Sequence, residues 1–331
     1  MILTYAWDRL LIDPLPGPRG ADSFTGLEPV TQSVRSVPAE AQPIAPAGST
    51  LPRLATELPH TLALLDPHHG AEGITRQLEE LVSHLAPASI DLLDVGGDIL
   101  AQGDEPTLKS PLAHALTLAA CCQVNAPIRL LVAGPGLDGE ISPTTCALCS
   151  ALPSTPSRPR TWRRSAASWK WHPSEATAML AATARGARGI CEVRDAGLPV
   201  PLTDEGPTVH EVDLDDAVSR NSLAPAIMTI ATLDEAEAHS REICGFSEID
   251  YERNKAAWLT ERPPTKLDPD DVLSRLDQFQ SEARARGVTH TTFRHLTEVL
   301  HLSGSQRDEL RRLLIHSRPG QYDAPLWSIG A

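Results

Sequence analysis

Three short apolar segments, each followed by a turn containing Gly, Asp or His, constrain the fold of this chain more than any other feature. Residues 62–65, 90–95 and 128–133 have the length and composition of buried strands. Segments of helical length, residues 72–85 and 111–122, lie between them. Strand and helix alternate in this way in parallel βαβ units, whose crossovers are right-handed. The sequence therefore predicts an α/β fold with a doubly wound, mostly parallel, Rossmann-like sheet.

The segments outside this pattern are less regular. Residues 2–7 have the composition of a buried strand, and residues 20–58 that of an extended loop with one short strand. Residues 209–212 are predicted as an edge strand and residues 226–231 as a last core strand. Capping signals such as Ser174, Thr232 and Asp268-Pro269 predict further helices. These helices cover residues 175–187, 233–244, 269–286, 291–300 and 305–316.

A length of 331 residues fits one large domain or two smaller ones. We expect an α/β core domain over residues 1–245 and a helical C-terminal extension, residues 246–331, packed on it. An irregular basic stretch, residues 141–171, interrupts the core and contains no acidic residue. An ordinary surface loop is the favoured interpretation of this stretch. A nucleic-acid-binding loop and a local shift of the reading frame are the alternatives.

The overall charge disfavours nucleic acid and membranes as partners. The formal net charge is -14 and the isoelectric point is about 5.3, so anionic polymers and lipid surfaces are repelled. The helical segment from residue 268 onwards carries nine acidic and eight basic residues, without the basic excess of a DNA-binding helix-turn-helix. A small basic pocket or an anionic substrate is compatible with this composition.

The sequence also indicates a cytoplasmic protein. No signal peptide precedes the first strand, and no apolar run reaches the roughly 18 residues that span a bilayer. Six cysteines are then expected as reduced thiols. Cys146 and Cys149 have the spacing of a zinc knuckle, but no second ligand pair accompanies them. Arginine makes up 25 of the 29 basic residues, which is typical of GC-rich bacterial genes.

Polar side chains follow the three predicted strands at the point where each one ends. Asp66, His68 and His69 follow the first, Asp98 the second, and Asp138 with Glu140 the third. The carboxyl ends of parallel strands meet at one edge of a sheet, so we expect these groups to converge. The predicted catalytic residues are Asp98, His68, His69 and Asp66, acting as acid and base; Asp98, His68 and Asp138 would be the ligands of any metal. The alternative is that Asp and His serve here as ordinary turn residues and helix caps.

Glycine turns at the same edge predict a ligand-binding loop. Gly96, Gly97, Gly134 and Gly136 could expose backbone amides to a phosphate or carboxylate, together with Lys109, Asp138 and Glu140 as ligand-binding side chains. Neither turn matches the dinucleotide fingerprint or a Walker A loop, so no cofactor is identified. Tight strand-to-helix connections explain the glycines equally well.

His172 and Glu175 lie near the start of one predicted helix. They could share a site, but the favoured interpretation is structural: Glu175 complements the positive helix N-terminus and His172 caps the turn.

Four segments of the chain resemble the DUF1152 family, a set of archaeal and actinobacterial proteins of unknown function. They are residues 7–19 (WDRLLIDPLPGPR), 93–98 (LDVGGD), 171–177 (WHPSEAT) and 290–294 (HTTFR). The resemblance implies an α/β fold and no established activity. It also implies a glycine-rich segment ahead of the first strand, and here the sequence begins at the strand itself. Either the start codon is placed too far downstream or the element is missing, and a missing element puts activity in question.

These features together lead to one functional expectation and its rivals. We expect an enzyme, or a degenerate enzyme, that acts on a small polar metabolite at the carboxyl edge of the sheet. The main alternative is a non-catalytic ligand-binding or accessory protein of a bacterial metabolic gene cluster, acting alone or as a homo-oligomer. A DNA-contacting regulator is the third interpretation, which the charge disfavours.

Overall fold

The computed structural model describes residues 1–141, 154–156, 168–194, 198–261 and 266–330. Within these residues the fold is a mixture of α-helices and several β-sheets. The strands, in chain order, are β1 (Ile2–Thr4), β2 (Phe24–Thr25), β3 (Glu28–Pro29), β4 (Arg35–Ser36), β5 (Gln42–Pro43), β6 (Leu62–Leu64), β7 (Ile90–Val95), β8 (Ile128–Ala133), β9 (Ser154–Pro156), β10 (Gly189–Val193), β11 (Leu198–Leu202), β12 (Thr208–Val212), β13 (His290–Thr291), β14 (Tyr322–Asp323) and β15 (Leu326–Ser328).

Helices occur between and after these strands along the described segments. They are α1 (Leu51–Glu57), α2 (Gly70–Leu85), α3 (Pro111–Cys121), α4 (Glu175–Ala184), α5 (Leu214–Arg220), α6 (Ala224–Ile227), α7 (Leu233–Cys244), α8 (Glu248–Thr260), α9 (Pro269–Ala285), α10 (Phe293–Val299) and α11 (Arg307–Ser317). The predicted caps Ser174, Thr232 and Asp268 each accept a hydrogen bond from the first turn of their helix. These three helix starts are therefore confirmed.

The strands form three larger sheets and a small two-stranded ribbon. One sheet has the order β1-β6-β4-β3, a second β7-β8-β12-β9 and a third β11-β10-β13-β15-β14, while β2 pairs with β5. The pairs β1–β6, β7–β8 and β10–β13 are parallel, and the other eight pairs are antiparallel. The prediction of an α/β fold is confirmed, but the expectation of a mostly parallel sheet is wrong because each larger sheet is mixed.

Three local predictions also need correction. The strand Thr208–Val212 lies between β8 and β9 inside its sheet and is not an edge strand. Residues 226–231, expected as a last core strand, contain no strand. Helix α6, Ala224–Ile227, takes up the start of this segment and buries the apolar residues Ala224 and Ile227 on one helical turn. Residues 20–58 contain four short strands and helix α1, so this segment is more ordered than its weak periodicity indicates.

The strands β7 and β8 pack on helices α2 and α3, which form the largest apolar core with them. The two strands are paired in register from Ile90 opposite Ile128 to Val95 opposite Ala133. Helix α3 is apolar on nearly all sides and buries both Leu112 and Leu116 completely. This core fixes the carboxyl ends of β7 and β8 side by side, which is the constraint that positions the site described below.

A second core lies under the C-terminal helices. Leu276 of α9, Leu296 of α10 and Trp327 of β15 are fully buried in it. The strands β13 and β15 were not predicted from the sequence, and β13 pairs with β10 in parallel. The C-terminal segment therefore contributes strands to a sheet as well as helices.

Most of the irregular basic stretch lies outside the described residues. Within it the structure describes only residue 141, strand β9 and residues 168–171, so Cys146 and Cys149 also lie outside. Cys121, Cys122, Cys191 and Cys244 are free thiols. Across the described segments, every helix is too short or too polar to cross a membrane.

The buried tryptophan of β15 provides a test of the C-terminal core. Replacing Trp327, which is fully buried, by alanine leaves a large cavity and should lower the free energy of unfolding by roughly 3–5 kcal/mol. The control is Trp258→Ala, because Trp258 is 45% exposed and its loss should cost about 1 kcal/mol or less. Urea unfolding followed by circular dichroism measures both. Equal losses in the two variants would contradict the assigned core.

Candidate functional site

The turns that follow β7 and β8 lie directly against each other. The Gly96 N–H donates to the Ala133 carbonyl at 3.0 Å, and the Gly136 N–H donates to the Gly96 carbonyl at 2.6 Å. These bonds continue the pairing of the two strands beyond their ends. The residues of both turns, 96–98 and 134–140, are therefore brought to one place, as the parallel arrangement predicts.

Gly96 allows this close approach because it has no side chain. A Cβ atom at this position would lie 2.0 Å from Asp138 Oδ2, and its φ of +121° is one that other residues rarely adopt. The neighbouring Gly97, with a φ of +102°, donates its N–H to Asp94 Oδ2 at 2.8 Å. Gly96 and Gly97 thus allow the backbone to pass between the side chains of Asp138 and Asp94.

Four acidic residues collect at this point, and we call them the carboxyl cluster: Asp94, Asp98, Asp138 and Glu140. All four are at least 93% buried, the most exposed being Asp138 at 7%. Asp138 Oδ1 accepts the N–H of Glu140 at 2.8 Å, which fixes its orientation. Burial and the charge of Glu140 raise the pKa of Asp138, while a hydrogen bond with Asp98 opposes the rise.

Asp98 differs from the other members because one of its oxygens lacks a donor. Its Oδ2 accepts the Ser110 hydroxyl at 2.6 Å, whereas the buried Oδ1 accepts no hydrogen bond. Burial and the charges of Asp138 and Glu140 raise the pKa of Asp98 well above its usual range. In its protonated form Asp98 can donate a hydrogen bond to Asp138.

The Ser110 hydroxyl lies between two members of the carboxyl cluster. It lies 2.6 Å from Asp98 Oδ2 and 3.2 Å from Glu140 Oε2, and it has only one hydrogen to donate. Glu140 Oε2 has a second donor in the Lys109 N–H, so the shorter contact, with Asp98, is the one that the Ser110 hydrogen fills. Ser110 occupies the N-cap position of α3, but its side chain does not cap the helix.

Glu140 is the ionised member with a cation beside it. Arg194, the first residue after β10, donates to Glu140 Oε1, and the backbone N–H of Lys109 donates to Oε2 at 2.6 Å. Burial opposes ionisation of Glu140, but Arg194 and these hydrogen bonds lower its pKa to about 2.

The Asp94 carboxylate pairs with a histidine of helix α3. His114 Nε2 lies 3.0 Å from Asp94 Oδ1, and Nδ1 lies 2.8 Å from the Ser110 carbonyl. Both partners are acceptors, so both ring nitrogens must carry hydrogen. Burial opposes protonation, yet Asp94 raises the pKa of His114 to about 9. His114 is therefore an imidazolium at neutral pH.

The loop after β1 approaches the same region from the first sheet. Glu252 of α8 accepts the Gly17 N–H at 2.7 Å and the Trp7 indole N–H at 3.2 Å. Burial and the charge of Glu252 raise the pKa of the neighbouring Glu248 to about 8, and Arg9 partly opposes this rise. The charge of Arg9 also contributes to the lowered pKa of Glu140.

Asp66, His68 and His69 occupy a different place. The strand before them, β6, belongs to the sheet of β1 and not to that of β7 and β8. His68 Nδ1 pairs with Asp66 Oδ1 at 2.8 Å, and Asp66 also accepts the Ala21 N–H at 3.0 Å. Within the described segments, no hydrogen bond or ion pair joins these residues to the carboxyl cluster.

The glycine amides and the lysine do not form the expected cradle. The N–H groups of Gly96, Gly97, Gly134 and Gly136 all donate to protein acceptors, so they are not free to bind a phosphate. The Lys109 ammonium lies 5.2 Å from the centre of the Phe246 ring, and only the backbone of Lys109 contacts the cluster. No group of three His, Cys, Asp or Glu side chains in the described ranges is arranged to hold a metal ion, including Asp98, His68 and Asp138.

Sequence reasoning did not select Ser110, His114 or Arg194 as site residues. His114 lies one helical turn after Ser110, so both face the strand ends from the start of α3, and this spacing could have been noticed. Arg194 directly follows strand β10. That it meets Glu140 depends on the placement of a third sheet, which the sequence does not specify.

Comparison with known proteins agrees with the resemblance noted from the sequence. The model of the DUF1152 family, described as a protein of unknown function, matches residues 1–256. The chain therefore belongs to the DUF1152 family. No curated protein and no solved structure matches it.

The contact between Gly96 and Asp138 can be tested by Gly96→Ala. Gly186 is the matched control because its φ of +102° is similar and a Cβ there would meet nothing within 4 Å. Gly186→Ala should cost roughly 1–2 kcal/mol from backbone strain alone. Gly96→Ala should cost about 2 kcal/mol more, because Asp138 must also move. Thermal and urea unfolding measure both variants, and equal losses would rule out the contact.

The raised pKa values of Glu248 and His114 predict a stability that falls as pH rises. The folded protein keeps a proton on Glu248 up to about pH 8, whereas the unfolded chain releases it near pH 4.5. His114 acts in the same direction up to about pH 9. Glu248→Gln, which keeps an acceptor for the Ala113 N–H, should make the loss between pH 5 and 9 smaller by roughly 2–5 kcal/mol.

Urea unfolding across this pH range measures the effect. Glu242→Gln, at an exposed glutamate of the preceding helix, serves as the control and should keep the wild-type slope. A wild-type stability that stays constant or increases from pH 5 to 9 would contradict the assignment.

Proposed function

We propose that this DUF1152 protein is a cytoplasmic enzyme, or a degenerate form of one, that acts on a small polar metabolite at the carboxyl cluster. The observation that carries the proposal is the buried Asp98 Oδ1, which accepts no hydrogen bond and lies in a group of four carboxyl side chains. Perturbed acids of this kind are concentrated at functional sites, because catalysis needs groups that hold a proton at neutral pH.

The chemistry supported by this arrangement is general acid–base catalysis. Asp98, whose pKa is raised, would act as the acid, while Asp138 beside it would accept the proton or act as the base. Arg194 keeps Glu140 ionised. The negative charge of Glu140 raises the pKa of Asp98, which suits Asp98 to the role of the acid. Oxygen acceptors dominate the cluster, which favours a metabolite rich in hydroxyl or amino groups.

The doubly wound arrangement predicted from the sequence belongs to the proposal. The parallel pair β7–β8 and the helices α2 and α3 packed against it support a βαβ organisation around the site. The parallel pair β1–β6 supports the same organisation in the neighbouring sheet. In this arrangement ligands bind outside the carboxyl ends of the strands.

A specific observation also favours a non-catalytic alternative. Asp94, Asp138 and Glu140 all have partners within the protein, and only Asp98 keeps an unsatisfied oxygen. A cluster so completely paired could hold a ligand, or hold the turns together, without turning anything over. Measurements of binding and of turnover on the same variant separate these possibilities.

The variant Asp98→Asn separates them because asparagine imitates the protonated acid. Its Oδ1 can accept the Ser110 hydroxyl and its Nδ2 can donate to Asp138, so the fold should be kept. It cannot release a proton, so turnover should fall by about 100-fold or more. The assay incubates protein with a metabolite extract and follows depletion by mass spectrometry, with native mass spectrometry for binding.

Asp104→Asn, at an exposed acid of the loop after Asp98, is the control and should behave as wild type. Equal depletion by wild type and Asp98→Asn would remove the enzymatic proposal. Binding without depletion in wild type would support the non-catalytic alternative.

A further inference from the structure

A small pocket lined by three arginines lies where helix α4 begins. Its walls come from the start of α4, from helix α10 and from helix α11. The side chains that matter here are His172, Glu175, Arg294, Arg307 and Arg311. The cavity volume is about 20 Å³. A space of this size admits individual oxygen atoms but not a whole metabolite.

Arg307 is the arginine whose charge is least compensated. It is 94% buried (6% exposed), and its guanidinium donates to the Trp171 carbonyl. Its nearest carboxylate, Asp308, is 3.8 Å away and 58% exposed, which makes that ion pair weak. Burial, together with the charges of Arg311, Arg53 and Arg294, lowers the pKa of Arg307 to about 10.

Arg311 adds a second uncompensated charge, and Arg294 adds an unsatisfied donor. The Arg311 guanidinium lies 4.6 Å from the Phe293 ring and donates to the Tyr322 hydroxyl at 2.7 Å. It forms no ion pair with a carboxylate of the described segments. Arg294 forms ion pairs with Glu175 Oε2 at 3.4 Å and Glu298 Oε1 at 3.6 Å, but its buried Nε–H has no acceptor within hydrogen-bond distance. The pocket thus has more donors and positive charge than the surrounding protein satisfies.

The carboxylate of Glu175 also lines the pocket, and it would oppose an anion if it stood alone. It already has partners: Oε1 accepts the backbone N–H of Arg194 at 3.1 Å and the Thr292 hydroxyl at 2.5 Å. Oε2 lies 3.4 Å from the Arg294 guanidinium and 4.0 Å from that of Arg194. One carboxylate therefore serves two arginines, and Arg307 and Arg311 remain in excess. The positive end of α4, capped by Ser174, adds to the same potential.

We propose that this arginine pocket binds an oxyanion, the phosphate or carboxylate group of a small ligand. The planar guanidinium groups of Arg307 and Arg311 match oxyanion geometry, since each can donate two parallel hydrogen bonds. The limited space means that the anion inserts one or two oxygens and leaves the rest of the ligand at the surface. The proposal does not require the carboxyl cluster to be catalytic.

Titration of the full chain with inorganic phosphate tests the proposal directly. Isothermal titration calorimetry and thermal unfolding should show saturable binding and a raised Tm, which sodium chloride at the same ionic strength does not reproduce. A parallel titration with acetate identifies the ligand class. A response to phosphate alone assigns a phosphate, a response to acetate alone assigns a carboxylate, and both responses support a general oxyanion site.

The variant Arg311→Gln should weaken phosphate binding about tenfold or more, because a charged bidentate donor is lost. Arg312→Gln is the matched control, since Arg312 is the next residue of the same helix and is exposed. Arg311 is only partly buried, so its variant is expected to fold. Asp98→Asn should keep the phosphate response, which separates this proposal from that for the carboxyl cluster.

Two results would overturn the proposal. One is the absence of any saturable response to phosphate or acetate beyond that to chloride. The other is an equal response in wild type, Arg311→Gln and Arg307→Gln, which would place the bound anion elsewhere on the protein.

Discussion

The burial of four carboxyl groups at the ends of two adjacent parallel strands is the constraint on which the centre of this protein depends. A carboxylate removed from water is costly unless a cation, donors or a proton compensates its charge. The structure supplies a cation to two of the acids: the His114 imidazolium faces Asp94, and the Arg194 guanidinium faces Glu140. Asp98 has no cation beside it, and burial with the neighbouring charges raises its pKa. Each compensating group comes from a different element, so the acids tie strands, helix α3 and the third sheet together.

Charge compensation continues from the carboxyl cluster towards the arginine pocket. The Arg194 guanidinium donates to Glu140 and lies 4.0 Å from Glu175 Oε2, and Glu175 in turn faces Arg294. Carboxylate and guanidinium groups alternate along this path, and most of them are largely buried. At one end of the path, around Asp98, carboxyl groups are in excess. At the other end, around Arg307, positively charged arginine side chains are in excess. The two proposed sites are therefore opposite ends of one internal charge network, with opposite preferences for ligands.

The sequence predicted the parts of the site that depend on neighbouring strands. Asp98, Asp138 and Glu140 follow two parallel strands, and their convergence needs only the pairing of those strands. The same reasoning placed His68 at that edge, although its strand pairs with β1 in another sheet. Strand pairing between sheets depends on long-range packing, which a local pattern of apolar residues does not encode. The same reason explains why the C-terminal strand with Trp327 was not predicted.

By itself, the sequence determined the strand and helix character of the central segments, the helix caps, and the family to which the chain belongs. The periodicity of apolar residues and the capping residues of helices are local properties of the sequence, so they can be recognised before the fold is known. Only the tertiary structure decided which acid has a strongly raised pKa, which histidine is charged, and where arginines gather in excess of carboxylates. These properties arise from burial and from distances between residues far apart in the chain, such as Glu140 and Arg194.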